Sequence, residues 1–284
     1  MRSRRFFGLA AVLLFFGGLV VGIGGAVVFG PSAADYDTPR SVFLPRDPSL
    51  ETAIDSLDRE GILAAPATFR LVATATGWGQ QIKSGHYRIP PRSSNYRLLD
   101  KLRRGLQDPV RLMIPAGRRT DALAETMGRI LERDADAFRA ALRDTSLARE
   151  LGTTPARLFG YMLPETHEFY WQTPPETVVR RIKQAFDRFY ERELAVAADS
   201  LGFTKREVVT LASIVEEEAL FDAEKPRIAG VYLNRLERGW PLQADPTVQY
   251  ALMDRGGERV TRVLYEHLEI DHPYNTYQIQ GLPP

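Results

Sequence analysis

Hydrophobic and polar positions divide the chain into three stretches. From Phe6 to Gly30 no side chain is charged. As a helix rising about 1.5 Å per residue this run reaches roughly 37 Å, enough to cross a bilayer core of about 30 Å with tilt. Arg2, Arg4 and Arg5 precede it, so the positive-inside rule keeps residues 1–5 in the cytoplasm and exports everything after Pro31. A cleavable signal peptide competes, because Ser32, Ala33 and Ala34 are small enough for a peptidase; its apolar core is normally only about 7–15 residues. A buried core helix would carry a polar stripe, and this run has none. The expectation is a single-pass protein of the cytoplasmic (inner) membrane, anchored through residues 6–30 with its body outside.

Past the apolar run the periods shorten. Residues 31–39 open a polar, proline-bearing stretch that reads as a linker lifting the body off the membrane. Residues 40–113 mix short strands and helices. Ser41–Leu44 suits a strand, and Ser49 can cap a helix to about Glu60, with Leu50, Ile54 and Leu57 at helical spacing and Gly61 as its stop. Phe69–Thr76 is apolar and fits helix or strand. Ser84–Pro90 reads as a turn into a strand. Ser94 can cap a second helix with Leu98, Leu99 and Leu102 inward and Gly105 at its end, and Val110–Ile114 is expected to close the module as a strand.

From residue 114 to 284 the pattern is helical. Thr120–Leu131 and Asp134–Arg143 are amphipathic. Thr173, Pro174, Pro175 and Glu176 open a long helix expected to run to about Leu201. Thr204 followed three places on by Glu207 is a capping-box pattern. The fold class expected is α+β: one N-terminal transmembrane helix, a small mixed α/β module and a helix-rich domain with short strands.

Composition narrows the chemistry. With 37 basic against 36 acidic residues the formal charge is only +1, so no nucleic-acid partner is expected. Cysteine is absent, which excludes disulfides, zinc thiolates and thiol catalysis. His86, His167, His267 and His272 lie on different elements without metal-ligand spacing, so no metal or cofactor is expected. Trp171 and Trp240 could stack on a flat ligand but fit core or rim packing better, and Trp78 reads as module core.

Two groups of residues remain. On the helix opened by Thr204, residues three and four apart share a face, so Glu218 follows Leu211, Ile214 and Val215 on the apolar stripe. Glu216 and Glu217 fall toward the wetter side. A carboxyl pushed toward the core is desolvated and holds its proton, as a general acid requires. On the helix pattern alone the plainer reading, a solvated helix end, stands ahead. Gln243, Asp245 and Thr247 lie in a polar loop turning into a helix, and Asp245 before Pro246 suits a helix start. Tyr274, Asn275 and Tyr277 cluster around a proline turn. Amides with aromatic rings suit sugar binding; taken alone, two hydrogen-bonded loops are the plainer reading and stand ahead.

The stretches Leu211–Glu218, Val231–Leu236, Leu242–Val248, Pro273–Tyr277 and Gly281–Pro284 follow one another in an order and spacing that resembles the endolytic murein transglycosylase (YceG-like) family. Gly160–Thr166 is similar to a further motif of that family, and Ser84–Tyr87 to the turn of its LysM-like module. The resemblance implies a catalytic role for Glu218 and substrate contacts at Gln243, Asp245, Thr247, Tyr274, Asn275 and Tyr277. It implies a LysM-like module at 40–113, a catalytic domain at 114–284, peptidoglycan glycan strands as substrate, and work beside the peptidoglycan synthases of the elongation machinery.

The match has departures. Glu217 stands where the family tends to have lysine, which puts a negative neighbour beside Glu218, and Ala219 replaces a hydroxyl. His167 stands where tyrosine is usual. Family members continue past Gly-Leu-Pro-Pro, so a shortened catalytic domain is expected at Pro284. The reaction implied is a single-acid cleavage: Glu218 protonates the bond between N-acetylmuramic acid and N-acetylglucosamine, then deprotonates the C6 hydroxyl to close a 1,6-anhydro ring. Asp245 is read as a loop organiser that caps its helix. A muramidase that uses water and a non-catalytic peptidoglycan-binding scaffold are the alternatives.

Overall fold

The computed structural model describes residues 22, 24–114 and 120–284. It is an α+β chain of many helices and, among the described residues, two two-stranded antiparallel sheets. The chain forms two compact units: residues up to Arg139 with Glu165–Val178, and Ala140–Pro164 with Val179–Pro284.

In the first unit, β1 (Arg40–Leu44) pairs with β2 (Gly85–Ile89), Val42 standing opposite Tyr87. Between them run α1 (Leu50–Arg59) and α2 (Pro66–Ala75). Ser49 Oγ caps α1 by accepting from Thr52 N at 3.0 Å. The stretch that fits helix or strand by pattern is the helix α2: Phe69, Val72 and Ala73 share one buried face, and Pro66 stands in the first turn, where its missing N–H costs nothing. Helix α3 (Asn95–Arg104) turns inward Leu98, Leu99 and Leu102 and ends on Gly105, whose φ of 66° is the left-handed conformation that closes a helix. These helices and the faces of Val42, Leu44, Tyr87 and Ile89 share one core. Trp78 packs on its edge under the Arg103 guanidinium, 4.0 Å from the ring centroid.

Val110–Met113 is a strand (β3), but it does not close the β1–β2 sheet. It pairs with β4 (Thr166–Phe169), more than fifty residues on. The reason lies at Asp108, whose carboxylate accepts the Arg88 N–H at 2.7 Å and so satisfies the outer edge of β2 before β3 begins. His167 therefore lies on a sheet opposite Leu112. Trp171 packs edge-on against Phe43 at 5.0 Å.

The stretch read as a free linker is seated on the module. Ser32 and Ala33 are buried; Ala33 N donates to Ser93 O at 2.8 Å and Ala34 N to Ile62 O at 2.8 Å. Tyr36 Oη donates to Ile89 O at 2.9 Å. Small side chains let this segment lie close against α3, where its backbone groups find partners. The membrane-helix expectation at 6–30 lies mostly outside the described residues. Of its described part, Val27 and Val28 pack on the module core and Val27 O accepts from Asn95 Nδ2 at 2.8 Å. Among the described residues no helix is long and apolar enough to cross a membrane.

Helices α4 (Thr120–Ile130), α5 (Ala135–Arg143), α6 (Thr145–Glu150) and α7 (Pro155–Leu158) follow β3, and the long helix expected from Thr173 to Leu201 is two helices: α8 (Pro175–Glu193) and α9 (Ala195–Ser200). The break is at Leu194, with φ of −118°. Leu194, Ala195 and Ala198 thereby reach the cluster of Tyr161, Phe186 and Tyr190, which a straight continuation would pass by.

Candidate active site

Helix α10 (Lys205–Glu218) opens with the capping box expected: Glu207 accepts the Thr204 N–H at 2.8 Å, and Thr204 Oγ1 accepts from Glu207 N at 3.3 Å. Leu211, Ile214 and Val215 bury the predicted stripe against α11 (Lys225–Glu237), Leu242 and Ala244. Glu218 is the last residue of α10, because Ala219 turns extended. The acid is thus at the rim of this core and exposed as a residue, while its carboxyl is partly desolvated. Burial raises its pKa first, the charge of Asp245 raises it further, and a hydrogen bond from Tyr232 pulls it partly back. A helix C-terminus also disfavours negative charge.

The negative neighbour that acts on Glu218 is not the one the sequence suggests. Glu217 points to Arg259, with 3.2 Å between Oε2 and Nη2. Adjacent helix residues diverge by about 100°, so a partner for one is no partner for the other. Asp245, distant in sequence, takes that place.

Asp245 is the first residue of α12 (Asp245–Asp254), and Ala244 precedes the helix, so the capping role expected of Asp245 is not observed. Its carboxylate instead accepts from Tyr277 Oη at 2.7 Å. Thr276 does the capping: its Oγ1 accepts the Ala244 N–H at 3.0 Å and lies 2.8 Å from Thr247 Oγ1, which donates to Ala244 O at 2.7 Å. Gln243 sits at φ of 52°, a left-handed conformation costing a non-glycine residue about 1 kcal/mol. Its N–H donates to Thr276 O at 3.0 Å. Arg235 holds the bend from the other side, donating from Nη1 to Leu242 O at 2.7 Å and to Gln243 Oε1 at 3.0 Å.

The expected site residues therefore separate. Glu218, Asp245 and Tyr277 share one electrostatic environment, since Tyr277 is influenced by both carboxyls. Gln243 is exposed beside Asp245. Thr247 and Asn275 are buried, and their expected glycan contacts do not fit: Thr247 bonds within the bend, and Asn275 Nδ2 donates to Leu268 O and Ile270 O at 2.9 and 2.8 Å. Both build the loops that carry their exposed neighbours. Tyr274 stands against Tyr250, farther along α12, with ring centroids 4.5 Å apart. Trp240 is exposed under Arg238.

Residue chemistry in the sequence did not single out Tyr232 or Arg235. Tyr232 is 6% exposed on α11. Burial first, then the Glu218 charge and hydrogen bonding toward that carboxyl, push its pKa far up, so it remains a neutral donor. A signal existed: a tyrosine on the apolar stripe with Ile228 needs a partner for its hydroxyl.

A carboxyl whose pKa is raised by burial and by the charge of a second carboxylate is suited to protonating a leaving oxygen. The endolytic murein transglycosylase of Bacillus subtilis (strain 168) is 27% identical over 285 residues, covering 92% of this chain and 77% of that protein. The endolytic murein transglycosylase of Streptococcus pneumoniae (serotype 2) is 28% identical over 273 residues, covering 86% of this chain. This chain spans about half the length of the pneumococcal relative, at 49%. A crystal structure of a YceG-like protein from Listeria monocytogenes has the same fold, with a TM-score of 0.52 at 24% identity over 87% of this chain and 84% of that one. The sequence profile of the YceG-like family matches residues 42–284, and the chain belongs to that family.

Proposed function

We propose that this protein is an endolytic lytic transglycosylase of peptidoglycan, cleaving between N-acetylmuramic acid and N-acetylglucosamine and leaving 1,6-anhydro ends. The observation that carries this reading is the Glu218 carboxyl, whose pKa burial and the charge of Asp245 raise, in a chain whose relatives are named for that reaction. Glu218 donates its proton to the glycosidic oxygen as the bond to the anomeric carbon breaks. The carboxylate so formed takes the proton of the muramic acid C6 hydroxyl, whose oxygen bonds to the anomeric carbon. One group serves as acid and then as base, and no water is consumed.

The finer parts of the reading are proposals too. Residues 6–30 anchor the protein in the inner membrane. Residues 40–113 form a LysM-like module that holds glycan. The enzyme works beside the elongation synthases and ends growing strands. Gln243, Asp245, Tyr274 and Tyr277 face the sugar, with Thr247 and Asn275 supporting them from below.

Mass spectrometry of purified peptidoglycan incubated with the full chain in detergent tests the reaction. Anhydro-muropeptides that disappear with Glu218→Gln are expected. The presence of Asp245 beside Glu218 favours one second reading, hydrolysis by two carboxylates; products with reducing ends only would establish it. Glycan binding without any cleavage would leave a scaffold.

A further inference from the structure

Arg235 of α11 grips the bend at 243–247 through one nitrogen. Its Nη1 donates to Leu242 O at 2.7 Å and to Gln243 Oε1 at 3.0 Å, with Pro241 O at 3.2 Å. A guanidinium carries only donors, so the end of the Gln243 amide that faces it is the carbonyl. The amide is planar, and its NH2 group therefore points away from Arg235. Gln243 is exposed, which leaves that group open to a ligand. The backbone beneath is anchored too: Gln243 is held at φ of 52°, with its N–H donating to Thr276 O at 3.0 Å. We propose that Gln243 is a hydrogen-bond donor to the acetamido carbonyl of an N-acetylated sugar, and that Arg235 is the positioning residue that fixes which end of the Gln243 amide faces the glycan. The proposal deepens the transglycosylase reading and rests on it for the substrate.

Chemistry selects the oxygen. An NH2 group needs an acceptor and gains nothing from a donor. Sugar hydroxyls offer both roles, whereas the acetamido carbonyl only accepts, and it recurs on N-acetylmuramic acid and N-acetylglucosamine alike. It is also neutral, which suits a donor placed two residues from the Asp245 carboxylate; an anionic ligand group there would meet like charge. The Arg235 charge strengthens the donor, because hydrogen bonds in a chain polarise one another. Gln243→Glu keeps the oxygen that Arg235 holds and removes the NH2 group. Arg235→Lys keeps the amide and removes the planar fork that orients it. Both changes act on one feature, the preference for an acetylated sugar, whereas damage to the bend weakens every ligand alike.

The test uses the full chain in detergent with Glu218→Gln as background, so that cleavage does not enter. Calorimetry compares purified glycan strands with the same strands chemically de-N-acetylated. Gln243→Glu should lower the ratio of affinities, acetylated over de-N-acetylated, by about threefold to tenfold. Arg235→Lys should lower that ratio in the same direction and add nothing once Gln243→Glu is present. A ratio unchanged by Gln243→Glu would overturn the donor, and a ratio moved by Gln243→Glu but not by Arg235→Lys would overturn the positioning role. Should Arg235→Lys fold poorly, nitrogen NMR relaxation decides that role in the protein with Arg235 in place. The Gln243 NH2 signal, assigned by Gln243→Glu, should be as rigid as the backbone, and fast motion would overturn it. A Glu218-bearing chain that yields no anhydro products would sink the reaction alone, with the ratio still deciding this proposal. Binding of neither strand would overturn both.

Discussion

The phenol of Tyr277 donates a 2.7 Å hydrogen bond to the carboxylate of Asp245, 32 residues earlier in the chain. It ties the turn after Pro273 to the first turn of α12 and fixes the anion whose charge raises the acid's pKa. A hydrogen bond to a charged group is worth about 1.5–3 kcal/mol. Tyr277→Phe should therefore lower kcat/KM by about tenfold or more, measured on soluble glycan chains, while the far-ultraviolet circular dichroism stays as in the wild type.

The same contact makes a pH prediction. Burial, then the bond to Asp245, push the Tyr277 phenol up to about 12, so it remains a neutral donor well past the ordinary tyrosine value of 10.0. In an alkaline absorbance titration, Asp245→Asn should bring one tyrosine ionisation down toward that ordinary value. An unchanged curve would mean that the phenol and carboxylate are not coupled.

Glu218 should weaken the fold that presents it. Its folded-state pKa lies above the ordinary 4.5, so between those two values the native state binds more protons than the unfolded chain. Stability then falls as pH rises from about 4.5 through the folded pKa. Glu218→Gln removes that dependence. Thermal melts should show the variant gaining on the wild type as pH rises from acid to neutral, with the difference reaching a plateau above the folded pKa.

The bend at 243–247 depends on one buried hydroxyl. Thr276 Oγ1 accepts the Ala244 N–H and meets Thr247 Oγ1, all of it away from water. Thr276→Val keeps the shape and leaves that N–H without a partner, at a cost of about 1–3 kcal/mol. Denaturant unfolding should show this loss, and activity should fall with it because Gln243 and Asp245 follow the bend.

Lys183 is 5% exposed, with Nζ 2.7 and 2.8 Å from the two oxygens of Asp187, which also meets Lys205 at 3.1 Å. Burial opposes ionisation of Asp187, and the two ammonium groups overcome it, holding the carboxyl below its ordinary 3.8. The stability it contributes is present above that value and lost as pH falls through the folded pKa. Asp187→Asn should cost about 2 kcal/mol near neutral pH by denaturant unfolding, and the deficit should shrink in acid.

Several elements were legible because their causes are local. The capping box at Thr204 and Glu207, the stop at Gly105 and the stripe of Leu211, Ile214 and Val215 all lie within a few residues, and the structure contains each of them. The stripe also brought Glu218 to notice. The partner of β3 was not legible: a strand's edge is satisfied by whichever backbone reaches it, here β4, more than fifty residues on. The break at Leu194 was equally hidden, since nothing in residues 173–201 records the cavity that Leu194 and Ala198 fill.

The sequence alone determined the helix that carries Glu218, the order of the motifs around it and the family to which they belong. Only the tertiary structure decided what surrounds the acid. It assigned Glu217 to Arg259, brought in Asp245 as the neighbouring anion, set Tyr232 as the buried donor, and turned Thr247 and Asn275 inward. Helix periodicity is fixed by bonds four residues apart, whereas burial and charge act through space. A proton's affinity for a carboxyl depends on the second kind of neighbour.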